Sequence, residues 1–145
     1  MNDKEEELPY FALTGEILGC CFEVMKELGP GFQEGVYKNA LLIAMREQGL
    51  QVETEQTFEV IFRGRVIGRY RADLIVEKAV VVELKCCESL IREHQAQLFN
   101  YLKVSNLSVG LLVNFRRRKL EYKRLHGAEI CDELEEIHST EVVPF

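Results

Sequence analysis

The chain has no apolar run near the ~20 residues that a membrane span needs, and its acidic start from Met1 to Glu7 is unlike a secretory leader. A cytoplasmic protein without a membrane partner is the expectation. Internal repeats, low-complexity tracts and linkers long enough to divide the chain are also missing. At 145 residues and 47% hydrophobic content, it is long enough to bury roughly two-thirds of its unfolded surface. One domain over residues 1–145 is therefore expected, with a core over about residues 11–125 and an acidic tail over 126–145. Basic excess is lacking too: the formal charge of −6 excludes a general nucleic-acid coat, which needs a basic surface. Local contact with a phosphate backbone needs only a local basic segment, and one is present at Arg116, Arg117, Arg118 and Lys119. Its plain alternative is a solvated turn between strands. Cysteine occurs, but metal-module spacing does not. Cys20, Cys21, Cys86, Cys87 and Cys131 fall as two adjacent pairs and a single, matching neither a zinc module nor an iron–sulfur run. Reduced, mostly buried thiols are expected.

What is present is a change of hydrophobic period along the chain. Ile17, Cys21, Val24 and Leu28 recur at helical spacing, and Gly29-Pro30-Gly31 stops that helix, which spans Phe11 to Leu28. A second helix is expected from Glu34 to Gln48, with Val36, Ala40, Ile43 and Ala44 inward and Gly49 closing it. From Gln51 to Phe62 the period drops to two, and Arg63-Gly64 makes a tight turn. Val66 to Val76 and Val80 to Val82 are β-branched runs around a polar break, Glu77-Lys78-Ala79, of hairpin-loop length. A third helix follows from about Ser89 or Leu90 to Val104, with Ser89 as its N-cap. Its inward stripe is read as Ile91, Gln95, Leu98 and Leu102. Two short strands are expected near 108–114 and 119–125. The order predicts a mixed α/β sheet flanked by helices on both faces.

The chemistry-bearing residues sit on that framework. A hairpin turning about Lys78 sets Asp73 opposite Glu83, where Cβ atoms lie about 4.5–5.5 Å apart and like charges repel. Alternation puts Glu83 and Lys85 on one face. Two facing carboxylates are tolerable when a divalent cation lies between them, and carboxylate oxygens suit magnesium or manganese. The cation would activate water and neutralise charge on a phosphate, with Lys85 stabilising the pentavalent state. A solvated hairpin face with a cross-strand ion pair is the alternative. On the third helix, His94, Gln97 and Tyr101 form one stripe. Gln97 and Tyr101 at the edge of the buried face could orient a water or phosphate, or simply be a polar face with a packed tyrosine. In Gly31-x-x-Glu34-x-x-Tyr37, Glu34 lies in a helix's first turn, where the dipole favours a carboxylate. Glu34 and Tyr37 also point the same way, so the pair could reach the sheet's polar face. Gly31 reads as a turn residue needing positive φ.

Taken in order, these pieces resemble the PD-(D/E)XK nuclease superfamily, and more closely the small family named for its GxxExxY motif. The likeness covers roughly Leu13 to Leu125. Gly31, Glu34 and Tyr37 match the naming motif, and Arg71-x-Asp73-Leu74 with Glu83-Leu84-Lys85 matches the nuclease core. Gln97-x-x-x-Tyr101-Leu102 is similar to the Q-x-x-x-Y element of RecB-type nucleases, and Gly110 to Phe115 to the family's G-L-L-x-N-F strand. The resemblance implies a restriction-endonuclease-like core and a Mg²⁺- or Mn²⁺-dependent deoxyribonuclease, with DNA ahead of RNA as substrate. Cleavage would be in-line attack by a metal-bound water. Asp73 and Glu83 would bind metal, Glu34 would complete the shell, Lys85 would act on the nucleophile, and Gln97 and Tyr101 would line the site. Two other classes stay open: a non-catalytic nucleic-acid-binding or assembly module that keeps the fold, and a hydrolase of small nucleotides. A homodimer, or a partner protein that delivers substrate, is compatible with the acidic charge.

Overall fold

The structure, a computed structural model, describes residues 9–127. Cys131 and all of the expected acidic tail except His126 and Gly127 lie outside the described residues. Three helices, α1 (Phe11–Leu28), α2 (Glu34–Glu47) and α3 (Arg92–Ser105), flank five strands. The strands are β1 (Val52–Phe62), β2 (Arg65–Val76), β3 (Val80–Lys85), β4 (Val109–Asn114) and β5 (Glu121–His126). They lie in one sheet in sequence order, antiparallel except for the parallel β3–β4 pair. Only that pair needs a crossover, and α3 supplies it. The expected mixed α/β sheet with helices on both faces is what forms.

The sheet has a core on each side. Val80, Val82 and Leu84 point with Leu74 and Val76 toward α1 and α2, whereas Val81 and Ile75 point toward α3. Because β3 is covered on both faces, it reads as a continuous apolar run instead of an alternating one. Gly110 in β4 has a packing reason: a Cβ there would lie 2.9 Å from Leu98 side-chain atoms of α3. The helix could not lie that close over any larger residue.

Helix α1 matches its expected bounds, although Leu28 at its end is exposed. In α2 the inward stripe is one position off the expectation. Tyr37, Leu41 and Met45 are buried, while Val36 and Ile43 remain 42% and 60% exposed. Ala40 and Ala44 are half-buried against the same core. The reason is Tyr37, whose hydroxyl donates to the Gly29 carbonyl at 2.7 Å and accepts the Phe32 N–H at 3.2 Å. With its polar end satisfied, the ring can enter the core, where it stacks on Phe115 at 5.0 Å between centroids. Helix α3 starts at Arg92, later than expected. Ser89 does not cap it; Ile91 occupies the N-cap position and donates its N–H to His94 Nδ1 at 3.1 Å. Ile91 is accordingly exposed, and Leu98, Phe99, Tyr101 and Leu102 form the buried stripe.

Candidate active site

The β2–β3 hairpin has the expected register, with Val76 facing Val80, Ile75 facing Val81 and Leu74 facing Val82. The next pair is Asp73 and Glu83, and there the regular ladder stops. The Asp73 N–H donates to Glu83 Oε1, and the Leu84 N–H donates to Asp73 Oδ2, both at 3.1 Å. Each carboxylate thus takes the place of a backbone carbonyl from the neighbouring strand. The strands part here, and two acids are held between them by reciprocal bonds. Side-chain alternation changes phase at the same point: Ile75 joins the core under α3, and so does Ala72 three residues earlier. On the facing strand β1, Glu55 has a left-handed backbone, φ 54°.

Glu83 is only 5% exposed. Burial, and then the charge of Asp73, push its carboxyl up to about 8, with Lys85 pulling the other way. Glu34, at the first turn of α2, is solvent-accessible yet lies in the same field. Partial desolvation and the charge of Asp73 raise its pKa, against the opposing pull of Lys85 and Lys38. The loop that delivers Glu34 is pinned by the Tyr37 hydroxyl, and Gly31 within it has φ 112°. Tyr37 therefore does not reach the polar face beside Glu34, as the spacing suggested; it positions the turn from inside the core.

Lys85 ends β3 half-buried, and its Nζ donates to Gln97 Oε1 of α3 at 3.3 Å. Tyr101, one turn further along α3, is buried, with its ring edge-on to Tyr70 at 5.3 Å. Burial, and then the charges of Glu83 and Asp73, push its phenol up to about 12. It therefore keeps its proton at neutral pH. The structure thus brings Glu34, Asp73, Glu83, Lys85, Gln97 and Tyr101 around one end of β3. Among the described residues, no three His, Cys, Asp or Glu side chains come close enough to enclose an ion on their own. The donor set nevertheless fits a hard divalent cation. Asp73 and Glu83 each commit one oxygen to a backbone N–H, and their carboxyls also hydrogen-bond each other, a contact that a cation between them would replace. Mg²⁺ keeps several waters and takes only one or two protein carboxylates.

The basic segment flanks the same end. Phe115 N–H donates to the Lys85 carbonyl, and Arg116 to Lys119 follow in the exposed β4–β5 turn. Arg116 and Arg117 pair with Glu88 at 3.6 and 3.3 Å. Cys86 and Cys87, just beyond Lys85, are free and half-buried. Burial raises both thiols, helped by Glu34 at Cys86 and by Glu121 at Cys87. Neither is primed as a thiolate.

One organising residue was not assigned a role from the sequence. Asn114, 4% exposed at the end of β4, accepts the Cys87 and Arg116 N–H groups. It also donates to the Cys87 carbonyl and to Glu121 Oε1. Glu121 Oε1 in turn accepts the Leu90 N–H at 2.7 Å. This network fixes the loop between Lys85 and α3, and hence the Lys85–Gln97 contact. Its sequence signals were the asparagine in an otherwise apolar strand and its place in the G-L-L-x-N-F element, neither of which named its partners. Asn114→Ala strands buried groups on Cys87 and should lower stability by about 2–4 kcal/mol, read by urea denaturation.

The fold and the sequence can be set beside known proteins. A family profile described as the PD-(D/E)XK nuclease superfamily matches residues 12–125. No curated protein matches the chain. Among solved structures, that of SSO0001 has a similar fold, with a TM-score of 0.54 and 23% sequence identity. The likeness covers 77% of this chain and 61% of SSO0001, so this chain spans less than two-thirds of that protein's length. The family match, in contrast, runs from the first helix into the last strand, and on that match the chain belongs to the PD-(D/E)XK nuclease superfamily.

Proposed function

We propose that this chain is a Mg²⁺- or Mn²⁺-dependent nuclease that hydrolyses phosphodiester bonds in DNA. The observation that carries the reading is the Asp73–Glu83 exchange between parted strands, beside a lysine held by Gln97. Asp73 and Glu83 would hold the cation, with Glu34 completing its surroundings. A bound divalent ion supplies charge neutralisation at the phosphate and lowers the pKa of water. Lys85 offers an ammonium to the negative charge that grows on the phosphate oxygens as water adds and the P–O bond breaks. Gln97 positions Lys85 through its carboxamide oxygen. Tyr101, kept protonated, donates a hydrogen bond at the rim. Arg116, Arg117, Arg118 and Lys119 lie where flanking phosphates would pass.

The GxxExxY grouping and the RecB-type likeness of Gln97 and Tyr101 belong to this reading. So do a single-domain chain, a cytoplasmic setting, and a homodimer or delivering partner that offsets the −6 charge. Among the described residues no helix is long and apolar enough to cross a membrane. The chain's acidity favours a second reading, a non-catalytic binding module.

The test is cleavage of labelled single- and double-stranded DNA, RNA and mononucleotides with Mg²⁺, with Mn²⁺ and with EDTA. DNA cut only with metal supports the nuclease. Turnover of mononucleotides alone, or metal binding without cleavage of any substrate, contradicts it.

A further inference from the structure

The β1–β2 hairpin is far longer than the sheet needs. It pairs from Val52 with Val76 out to Phe62 with Arg65, whereas β3 pairs with β2 only over Leu74–Val76. Beyond Asp73 the hairpin is therefore a two-stranded ribbon. From Asp73 to the turn at Gly64 it runs nine residues, or about 30 Å. Its base is anchored, since Phe58 and Tyr70 pack against the α3 core. Its far end is not: Ile61 and Ile67 are 65% and 64% exposed, and Phe62 is exposed as well. The turn residues Arg63 and Gly64 have φ 49° and 76°, the left-handed pair of a tight I′ hairpin turn. The tip is thus a rigid turn and not a slack loop.

In a chain of net charge −6, the stretch from Phe58 to Arg71 carries four arginines against one acid, Glu59. Arg71 is engaged by Glu55. Among the described residues, Arg63, Arg65 and Arg69 form no ion pair with an acid. Facing pairs show how they are distributed. Arg65 faces Phe62 on the side of Phe58 and Tyr70, Arg69 shares the opposite side with Ile61, and Arg63 sits at the tip. Arg69 is faced by Glu59, so the positive charge is concentrated on the Arg65 side and at the Arg63 tip, around apolar residues, and suits a ribbon laid against a phosphate backbone.

We propose that this ribbon is a DNA-gripping arm that enters the major groove of a duplex about one helical turn from the bond held at Asp73. The B-DNA major groove, about 12 Å wide, admits a two-stranded ribbon, and the apolar tip can meet thymine methyls there. The deep, narrow major groove of duplex RNA does not admit side chains. An arm of about 30 Å approaches the 34–36 Å over which the same groove returns to the same side. This inference rests on the nuclease reading and adds to it the form of the substrate and the element that grips it.

The test separates the two claims by measuring binding without chemistry. Fluorescence anisotropy with a 30-base-pair DNA duplex in EDTA is followed across about 50–200 mM salt. The full chain is compared with Arg63→Ala/Arg65→Ala/Arg69→Ala and with the corresponding lysine triple. Loss of three phosphate contacts should weaken binding at least tenfold and reduce the magnitude of the log–log salt slope by about 3; the lysine triple keeps the slope. Equal affinity and slope in wild type and alanine triple overturn the arm and leave the nuclease reading standing. Duplex RNA bound as tightly, with the same loss in the triple, overturns the groove assignment. An unchanged DNA affinity with an Ile61→Ser/Ile67→Ser dimer-to-monomer change in sedimentation makes the tip a self-association surface and overturns the proposal. Absence of metal-dependent cutting, with the triple still impaired in binding, sinks the nuclease reading and keeps the arm.

Discussion

The Glu83→Gln protein is expected to melt higher than the wild type at pH 8 without metal, and to cut nothing. In the fold the Glu83 carboxyl is pushed from its ordinary 4.5 up to about 8 by burial and by Asp73. A group whose folded pKa is raised contributes stability that is fully present below about 4.5 and is lost as pH rises through about 8. Metal-free wild type should therefore lose stability over that window, by something on the order of 5 kcal/mol. Glutamine keeps an oxygen for the Asp73 N–H but carries no charge, so the same fall should vanish in the variant. Mg²⁺ or Mn²⁺ should restore the wild-type melting temperature at pH 8 and leave Glu83→Gln unmoved. Melting curves from pH 5 to 9, with and without metal, read all of this. A wild-type stability that is flat across the window would show that the carboxylate pair is not strained.

Lys85→Ala should lower metal-dependent cleavage by about 10³-fold, the scale for losing one preorganised charge stabiliser, while metal still raises the melting temperature. Its Nζ lies 3.3 Å from Gln97 Oε1, so Gln97→Ala should act through the lysine and cost less, about tenfold. Single-turnover cleavage at saturating DNA separates this loss from weaker binding. Because Lys85 is half-buried at a strand end, truncation should leave the fold intact. Equal rates for Lys85→Ala and wild type would remove the lysine from the chemistry.

How much of this was legible in the chain depends on how local the cause is. The hairpin register could be read because the polar break at Glu77 to Ala79 lies between β-branched runs. That break alone is enough to place Asp73 beside Glu83. The exchange of hydrogen bonds that parts the strands could not be read, because it depends on carboxylates replacing carbonyls across the ladder. Tyr37 looked like a partner of Glu34 by helical spacing. Its hydroxyl instead finds Gly29 and Phe32, a tertiary fact that also shifts the buried stripe of α2 away from Val36 and Ile43. The late start of α3 has a similar cause, since His94 Nδ1 captures the Ile91 N–H and Ser89 is left outside. Asn114 showed as a polar residue in an apolar strand and as part of the G-L-L-x-N-F element, but its role did not show, because its four hydrogen bonds go to Cys87, Arg116 and Glu121 in separate stretches of chain. Glu34, Lys85, Gln97 and Tyr101 were each ambiguous alone; the fold brings them to one end of β3.

The central claim is that a divalent cation sits between Asp73 and Glu83. The most direct measurement is an anomalous difference map from crystals of the protein soaked in Mn²⁺. A peak about 2.1 Å from a carboxylate oxygen of each residue is the predicted result. Full occupancy elsewhere, as at Cys86 and Cys87, with nothing between the two acids would contradict it.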